Sequence, residues 1–337
     1  MTISVVQKNS IFSMRAWAIW FLGATFMFYK YALEVSPSVM TGTLMKTFNI
    51  TAVELGHLTA CYFYAYLLLQ IPAGILLDKF GPRKTTSVAI LLCAIGCFIF
   101  SRADTFFMAG VGRFLTGAGA AFAAINCLKL INNWFAQRQF AFMAGLMMTM
   151  AMSGAVGGQA PLSAFIEKMD WRHAMEIISM SGFGLALLFW FVVRDHSPNM
   201  ILSYKKSSNI SLVDSLKQVL KNTQCWWLSV YSGFAFAPVM VFGGLWGVSF
   251  LSQSFKISQH FSAQMVSLIF IGFAVGAPIF GWLSDKLGRR CTVMYWGTLL
   301  AFLTISLVIY CPIQSIYILG FLLFVFGFSI SSFLLCF

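Results

Sequence analysis

The chain has 337 residues, of which 59% are hydrophobic and 9% charged, against about 25% charged in an ordinary soluble domain. So few charges exclude a soluble globular surface and make lipid the natural solvent. The net charge of +12 comes from 22 basic and 10 acidic residues. The basic residues are scattered between apolar blocks rather than gathered in a patch, which speaks against a nucleic-acid surface and for loop topology in a membrane.

A spanning helix needs about 20 apolar residues. In chain order the expected spans are Trp17–Met40, Val53–Leu77, Thr85–Ser101, Phe106–Ile131, Phe140–Ile166, His173–Val193, Cys225–Leu251, Phe261–Leu283, Cys291–Tyr310 and Ile313–Phe337. The first block is too long for a cleavable leader and lacks its small-residue cleavage site, so it reads as a retained helix. Short connections make successive helices antiparallel. Lys8, Arg15, Lys79, Arg83, Lys84 and Arg138, the basic residues of 194–224, and Lys286, Arg289 and Arg290 then fall on one side, against Lys46, Arg102, Lys168, Arg172 and Lys256 on the other. That bias places the N-terminus in the cytoplasm of a multi-pass protein of an inner or plasma membrane.

The long connection at 194–224 carries Ile210, Val213, Leu216 and Leu220 at near-helical spacing, flanked by Lys217 and Lys221. Ser211 and Asp214 resemble a capping box, so a short amphipathic helix at the membrane surface is expected there. The expected domains are 1–193, a six-helix bundle; 194–224, this linker; and 225–337, a second bundle of about four helices. The eight cysteines include no CxxC pair. Cys93 and Cys97, one turn apart, read as small apolar residues of a span, and no metal site or disulfide framework is expected.

A repeat organises the chain. Gly74, Leu76, Asp78, Lys79, Gly81 and Arg83 follow the second span. Gly281, Leu283, Asp285, Lys286, Gly288 and Arg290 follow the eighth at one constant offset. The first glycine suits close packing and the second a tight turn. The aspartate suits a cation or a helix N-terminus. Two such loops imply a duplicated six-helix unit and a latch that makes contacts in one conformation only. In the fourth span Gly117 and Gly119 follow Arg113, and the fifth carries Gly145, Gly154 and Gly158. All are expected at helix contacts.

These loops resemble the signature G-x-L-x-D-(R/K)-x-G-(R/K)-(R/K) of the major facilitator superfamily. The Arg113 stretch resembles that family's fourth-helix motif, and the three later glycines its fifth-helix spacing. The resemblance covers nearly the whole chain. It implies an all-α integral membrane bundle of two pseudo-symmetric six-helix halves, the second incomplete at about 10 of 12 helices. It also implies that Asp78 latches near an eleventh helix and Asp285 at the fifth. Two departures stand out: Gln159 rather than proline follows Gly158, and the chain ends at Phe337 inside an apolar run.

Charges inside spans are costly and point to function. Lys30 and Glu34 are four apart and share a face, roughly 15 Å and 9 Å from Met40, while Arg113 lies about 10 Å inside the fourth span. With the first and fourth helices lining the family's cavity, Glu34 is expected to face Arg113, leaving Lys30 free for an anionic group. Tyr29, Tyr31 and Tyr62 add contacts. A self-neutralising Lys30–Glu34 pair is the competing reading. Asn126 and Lys129 are candidates for the inner cavity, with snorkelling to the interface preferred for Lys129. Trp226, Trp227 and Tyr231 read as an aromatic belt.

No catalytic constellation, Walker loop or dinucleotide fingerprint is present, so neither an enzyme nor a cofactor is expected. The expected function is secondary transport by alternating access of a small solute, an organic anion, amino acid or peptide, with Glu34 as candidate proton carrier. The expected partners are the bilayer, that solute and protons, with no nucleic acid, and the chain is expected to be a monomer. The competing expectation is a truncated, transport-inactive remnant.

Overall fold

The computed structural model describes residues 14–136, 139–195, 220–287, 290–311 and 315–336. All secondary structure among them is helical. The first rod is α1, Met14–Val35, then a 3-10 turn at Ser36–Val39 and α2, Thr41–Phe48. It therefore runs past Met40 as a bent helix. Pro37 causes the bend, because it cannot donate to a carbonyl four residues back. Asn49, left-handed at φ 51°, ends α2. Next come α3, Ala52–Phe80, and α4, Pro82–Ser101. Thr51 and Glu54 cap α3 reciprocally, at 3.3 Å and 2.7 Å. Gly81, at φ +81°, makes the turn from α3 to α4 where a side chain would be strained.

The fourth rod is α5, Phe106–Ala120, and α6, Ala123–Trp134. The fifth is α7, Phe140–Gly157, and α8, Ala160–Lys168, broken at Gly158 and Gln159. The sixth is α9, Trp171–Val192. After the gap come α10, Thr223–Pro238, a π-helical stretch at Val239–Trp246, and α11, Gly247–Phe255. The last rods are α12, Gln259–Leu287; α13, Arg290–Tyr310; and α14, Ile316–Ile330, with a 3-10 turn at Ser331–Cys336. The amphipathic helix expected around 210–221 lies almost wholly outside the described residues.

Eight helical stretches among the described residues are long and apolar enough to cross a membrane. The rods beginning at Met14 and Phe140 are outside that set, and each is interrupted. Within 14–195, α4 packs between α5 and α9, α3 lies on α5, and α1 lies on α6 and α7. Within 220–336, α14 packs on α12 and α13. The two segments meet mainly where α12 lies on α7 and α8, and where the turn after α1 meets the π segment.

The glycines set these distances. A Cβ on Gly117 would land on the Tyr62 backbone, one on Gly119 on the Ala89 carbonyl, one on Gly154 on the Phe28 carbonyl, and one on Gly158 within 2.6 Å of the Ala32 carbonyl. Only glycine lets backbones approach so closely. Gly145 does not share this role, and Gly74 and Gly281 also have nothing within 4 Å of an added Cβ. The reason is geometric: sequence spacing places a residue on a helix face without saying how near the facing helix comes. Large apolar side chains such as Leu67, Leu68, Phe191 and Phe234 point outward, as helices solvated by lipid require.

Candidate functional site

The site begins at the Pro37 break. In an unbroken helix the Leu33 carbonyl would accept from residue 37, and proline has no N–H. Ser36 Oγ donates to it at 2.9 Å and Arg113 Nη1 at 2.8 Å. Arg113 Nη2 reaches the Glu34 carbonyl at 3.4 Å. Arg113 is only 2% exposed. Its fork of donors therefore clamps the freed end of α1 from α5.

One turn earlier, Lys30 and Glu34 form an ion pair on α1, 6% and 4% exposed. The expected Glu34–Arg113 pairing is replaced. Glu34 Oε2 takes Lys30 and a hydrogen bond from Tyr62 Oη at 3.0 Å, while Arg113 takes backbone carbonyls. Lys30 is accordingly not free. Two rings cage its ammonium, Tyr31 with the centroid at 3.7 Å and Tyr66 at 5.0 Å. The Arg113 guanidinium lies 5.0 Å from the Tyr62 ring centroid. Two buried cations thus surround one carboxylate, an arrangement that attracts negative charge. Tyr66, missed from the sequence, is four residues beyond Tyr62 and stacks with it. That spacing was the available signal.

Tyr29 is not part of this cluster. Its hydroxyl lies at Gly182 of α9, beside Ala94 of α4. Asn126 is buried, and neither of its amide atoms has a partner. It sits at the α1–α6 contact near Gly23. A cavity of about 150 Å³ opens beside Glu34, between α3 and the π segment.

At the other end of α3, Asp78 pairs with Lys129 of α6. Lys129 Nζ lies 2.5 Å from its carboxylate and 2.7 Å from the Leu77 carbonyl, so Lys129 bridges α6 to α3 instead of snorkelling. The Arg83 backbone N–H donates to Asp195 Oδ1 at 2.7 Å, placing a carboxylate at the α4 N-terminus. Arg83 Nε reaches the Trp190 carbonyl at 2.7 Å, with the guanidinium 5.0 Å from the Trp190 ring. Asn133 and Trp134 hold the Asp195 and Arg194 carbonyls. Asp195 escaped the sequence reading because it lies far along the chain from the loop it caps. In the second loop Gly281 lies within α12 and Lys286 stands 5.0 Å from the Trp282 ring. Gly288 and the side chains of Asp285 and Arg290 lie outside what is described. Trp226 and Trp227 are exposed on α10.

Residues 17–337 match the family model "Major Facilitator Superfamily". Among curated relatives, the chain is 25% identical over 302 residues to the uncharacterized transporter YybO of Bacillus subtilis, covering 83% of this chain and 68% of that one. It is 27% identical over 285 residues to the D-galactonate transporter of Escherichia coli O6:H1, covering 77% and 65%. The matches therefore span about two thirds of these relatives' length. Among solved structures, a bacterial homolog of the human lysosomal transporter Spinster, inward-facing and unoccupied, superposes with a TM-score of 0.75 at 15% identity. That match covers 96% of this chain and 74% of that one. With the paired loops, the bundle and the family match in agreement, the chain belongs to the Major Facilitator Superfamily.

Proposed function

We propose that the protein is a secondary transporter that carries a small organic anion by alternating access, coupled to protons. The observation that carries this reading is the buried cluster in which Lys30 and Arg113 surround the single carboxylate of Glu34. A buried charge keeps its partner because leaving it alone is costly. Protonating Glu34 breaks its pair with Lys30, and the released ammonium, still backed by Tyr31 and Tyr66, accepts a carboxylate in its place. Proton and anion then enter together. Lys30, Arg113, Tyr31 and Tyr62 are the charged or titratable groups facing Glu34 in this scheme, with Tyr66 behind Lys30. Asn126, a buried amide with no protein partner at the α1–α6 contact, is a further candidate for the inner cavity. A relative named for D-galactonate transport supports an anionic substrate class.

The bundle 1–193 and the helices of 225–337 rock about this site, joined by 194–224, with the N-terminus in the cytoplasm of an inner or plasma membrane. The glycine-rich loops at Asp78 and Asp285 act as cytoplasmic latches. Uptake into proteoliposomes under an imposed pH gradient tests the scheme, with D-galactonate and a panel of carboxylates as substrates. Parent protein concentrates at least one carboxylate, and acid inside abolishes the drive. Lys30→Ala lowers binding of that carboxylate at least 10-fold. Glu34→Gln keeps binding and exchange but loses pH-driven accumulation. PH-driven uptake that survives Glu34→Gln would falsify the coupling role, and unchanged affinity in Lys30→Ala would remove the anion site.

A further inference from the structure

The cavity beside Glu34 adjoins the anion-attracting cluster and has a different character. One wall belongs to α1 and α3 and the facing wall to the π segment. A ligand there touches both halves of the bundle, as a carried solute must. Small residues make the room. A Cβ on Gly56 would meet nothing within 4 Å, and one on Gly244 would reach Met240 and Val35 at 4.0 Å. These glycines leave open space, whereas Gly117 and Gly154 bring backbones together. Ala60 lies one turn along α3 from Gly56, and Phe63, Leu245 and Trp246 add apolar surface. Groups able to serve a ligand hydroxyl are few. Thr59 already donates to the Leu55 carbonyl at 3.1 Å, and the Trp246 indole brings a single N–H. Tyr62 ties the cavity to the cluster: its hydroxyl donates to Glu34 at 3.0 Å, and its ring packs edge-on against Phe63 at 5.2 Å.

We propose that this cavity holds the apolar body of the transported anion, so that the substrate is a compact hydrophobic carboxylate, an aryl or cycloalkyl acid, and not a polyhydroxylated one. This assignment rests on the anion-carrier reading. Charge fixes the head group. Once Glu34 takes up a proton, Lys30 and Arg113 are two buried cations with no carboxylate between them, and a buried charge without a partner is costly. A carboxylate arriving at Glu34 restores the balance, so one proton and one anion enter together. Lys30 and Arg113 do not line the cavity. The head group therefore belongs at the Glu34 wall, and the body fills the space beyond. Volume fixes the body, since a cavity of about 150 Å³ accommodates a benzene-sized group. The lining fixes its polarity. Each hydroxyl buried there without a partner costs free energy, so a sugar acid of the same charge is held more weakly than a hydrocarbon acid.

The test is isothermal titration of the purified full chain in mild detergent, at one pH, with benzoate, cyclohexanecarboxylate, acetate, D-galactonate and benzyl alcohol. Benzoate and cyclohexanecarboxylate are expected to bind at least 10-fold more tightly than acetate or D-galactonate. Benzyl alcohol, a ring without the charge, binds at least 10-fold more weakly than benzoate. Ala60→Leu fills the cavity from the α3 wall and brings benzoate down to the level of acetate. Acetate, too small to need the cavity, binds this variant as it binds the parent, which also reports that the variant is folded. Uptake of benzoate falls with its binding. If the leucine variant melts early, Gly244→Ala narrows the facing wall with a smaller loss. D-galactonate bound as tightly as benzoate, benzyl alcohol bound as tightly as benzoate, or an unchanged benzoate affinity in a folded Ala60→Leu protein would overturn the assignment. The two readings fail separately. Carboxylate binding with no preference for the hydrophobic acids refutes this substrate class alone, whereas no binding of any carboxylate refutes the anion carrier itself.

Discussion

At the scale of single residues, the closest test concerns Arg113. The sequence set it opposite the Glu34 carboxylate, yet the structure spends its fork on the Leu33 and Glu34 carbonyls at the Pro37 break. Hydrogen bonds from a charged donor contribute about 1.5–3 kcal/mol each when buried. Arg113→Ala should therefore lower the stability of the purified protein by about 2–4 kcal/mol, with faster amide exchange over residues 35–40. Arg113→Lys, which supplies one point charge in place of a fork, should fall between. Thermal melting and hydrogen exchange read both. A normal melt combined with lost carboxylate binding would instead make Arg113 a substrate ligand. Much of this cluster was legible. Intramembrane charges are rare enough to announce Lys30, Glu34 and Arg113, and i, i+4 spacing joined the first two. The partner exchange was not legible, because the carbonyl that Arg113 serves is released by a proline on another helix.

At the scale of helices, the glycines differ by place. Gly117, Gly119, Gly154 and Gly158 sit where another backbone or its carbonyl would meet a Cβ, and Gly145 faces open space. Periodicity gives the face of a helix, and the approach distance belongs to the pair. The difference yields a matched experiment. Gly117→Ala must push α3 away from α5 at Tyr62, and overpacking of this kind costs about 1–3 kcal/mol. It also moves the Tyr62 hydroxyl away from Glu34, so carboxylate binding should weaken with the melt. Gly145→Ala meets nothing within 4 Å and gains helix propensity of about 1 kcal/mol, so its melt should hold or rise. Equal melts for the two variants would show that the α3–α5 approach relaxes at no cost. The same logic explains the loop at Gly81. The turn glycine was legible from its motif, whereas Asp195, which caps the following helix from 112 residues away, was not.

At the scale of the whole molecule, the polar contacts that join the described residues of 14–195 to those of 220–336 gather at one end. Thr41 Oγ1 and Ser249 Oγ share a hydrogen bond of 2.5 Å. Gln159 Nε2 donates to the Gly243 carbonyl at 2.7 Å, from the break between α7 and α8 to the π segment. Gln259 Nε2 donates to the Val39 carbonyl. At the opposite end, the Asp78–Lys129 and Arg83–Asp195 bonds stay within the first segment. These partners are separated by 208, 84 and 220 residues, which is why no local pattern exposed them, although the repeat had already implied two halves. The Gln159 departure from the family's proline now has a physical role: an amide that reaches across, where proline has no donor to offer. The arrangement is closed at the Thr41 end, and transport by alternating access requires that end to open. Thr41→Cys combined with Ser249→Cys, in a background with the native cysteines replaced, should cross-link readily, because hydroxyls that touch mark side chains within disulfide reach. Oxidation should then cut carboxylate uptake at least 10-fold and reductant should restore it, while ligand binding persists. Full uptake by the oxidised, cross-linked protein would mean that this end does not part during the cycle, and the rocking scheme would have to be abandoned.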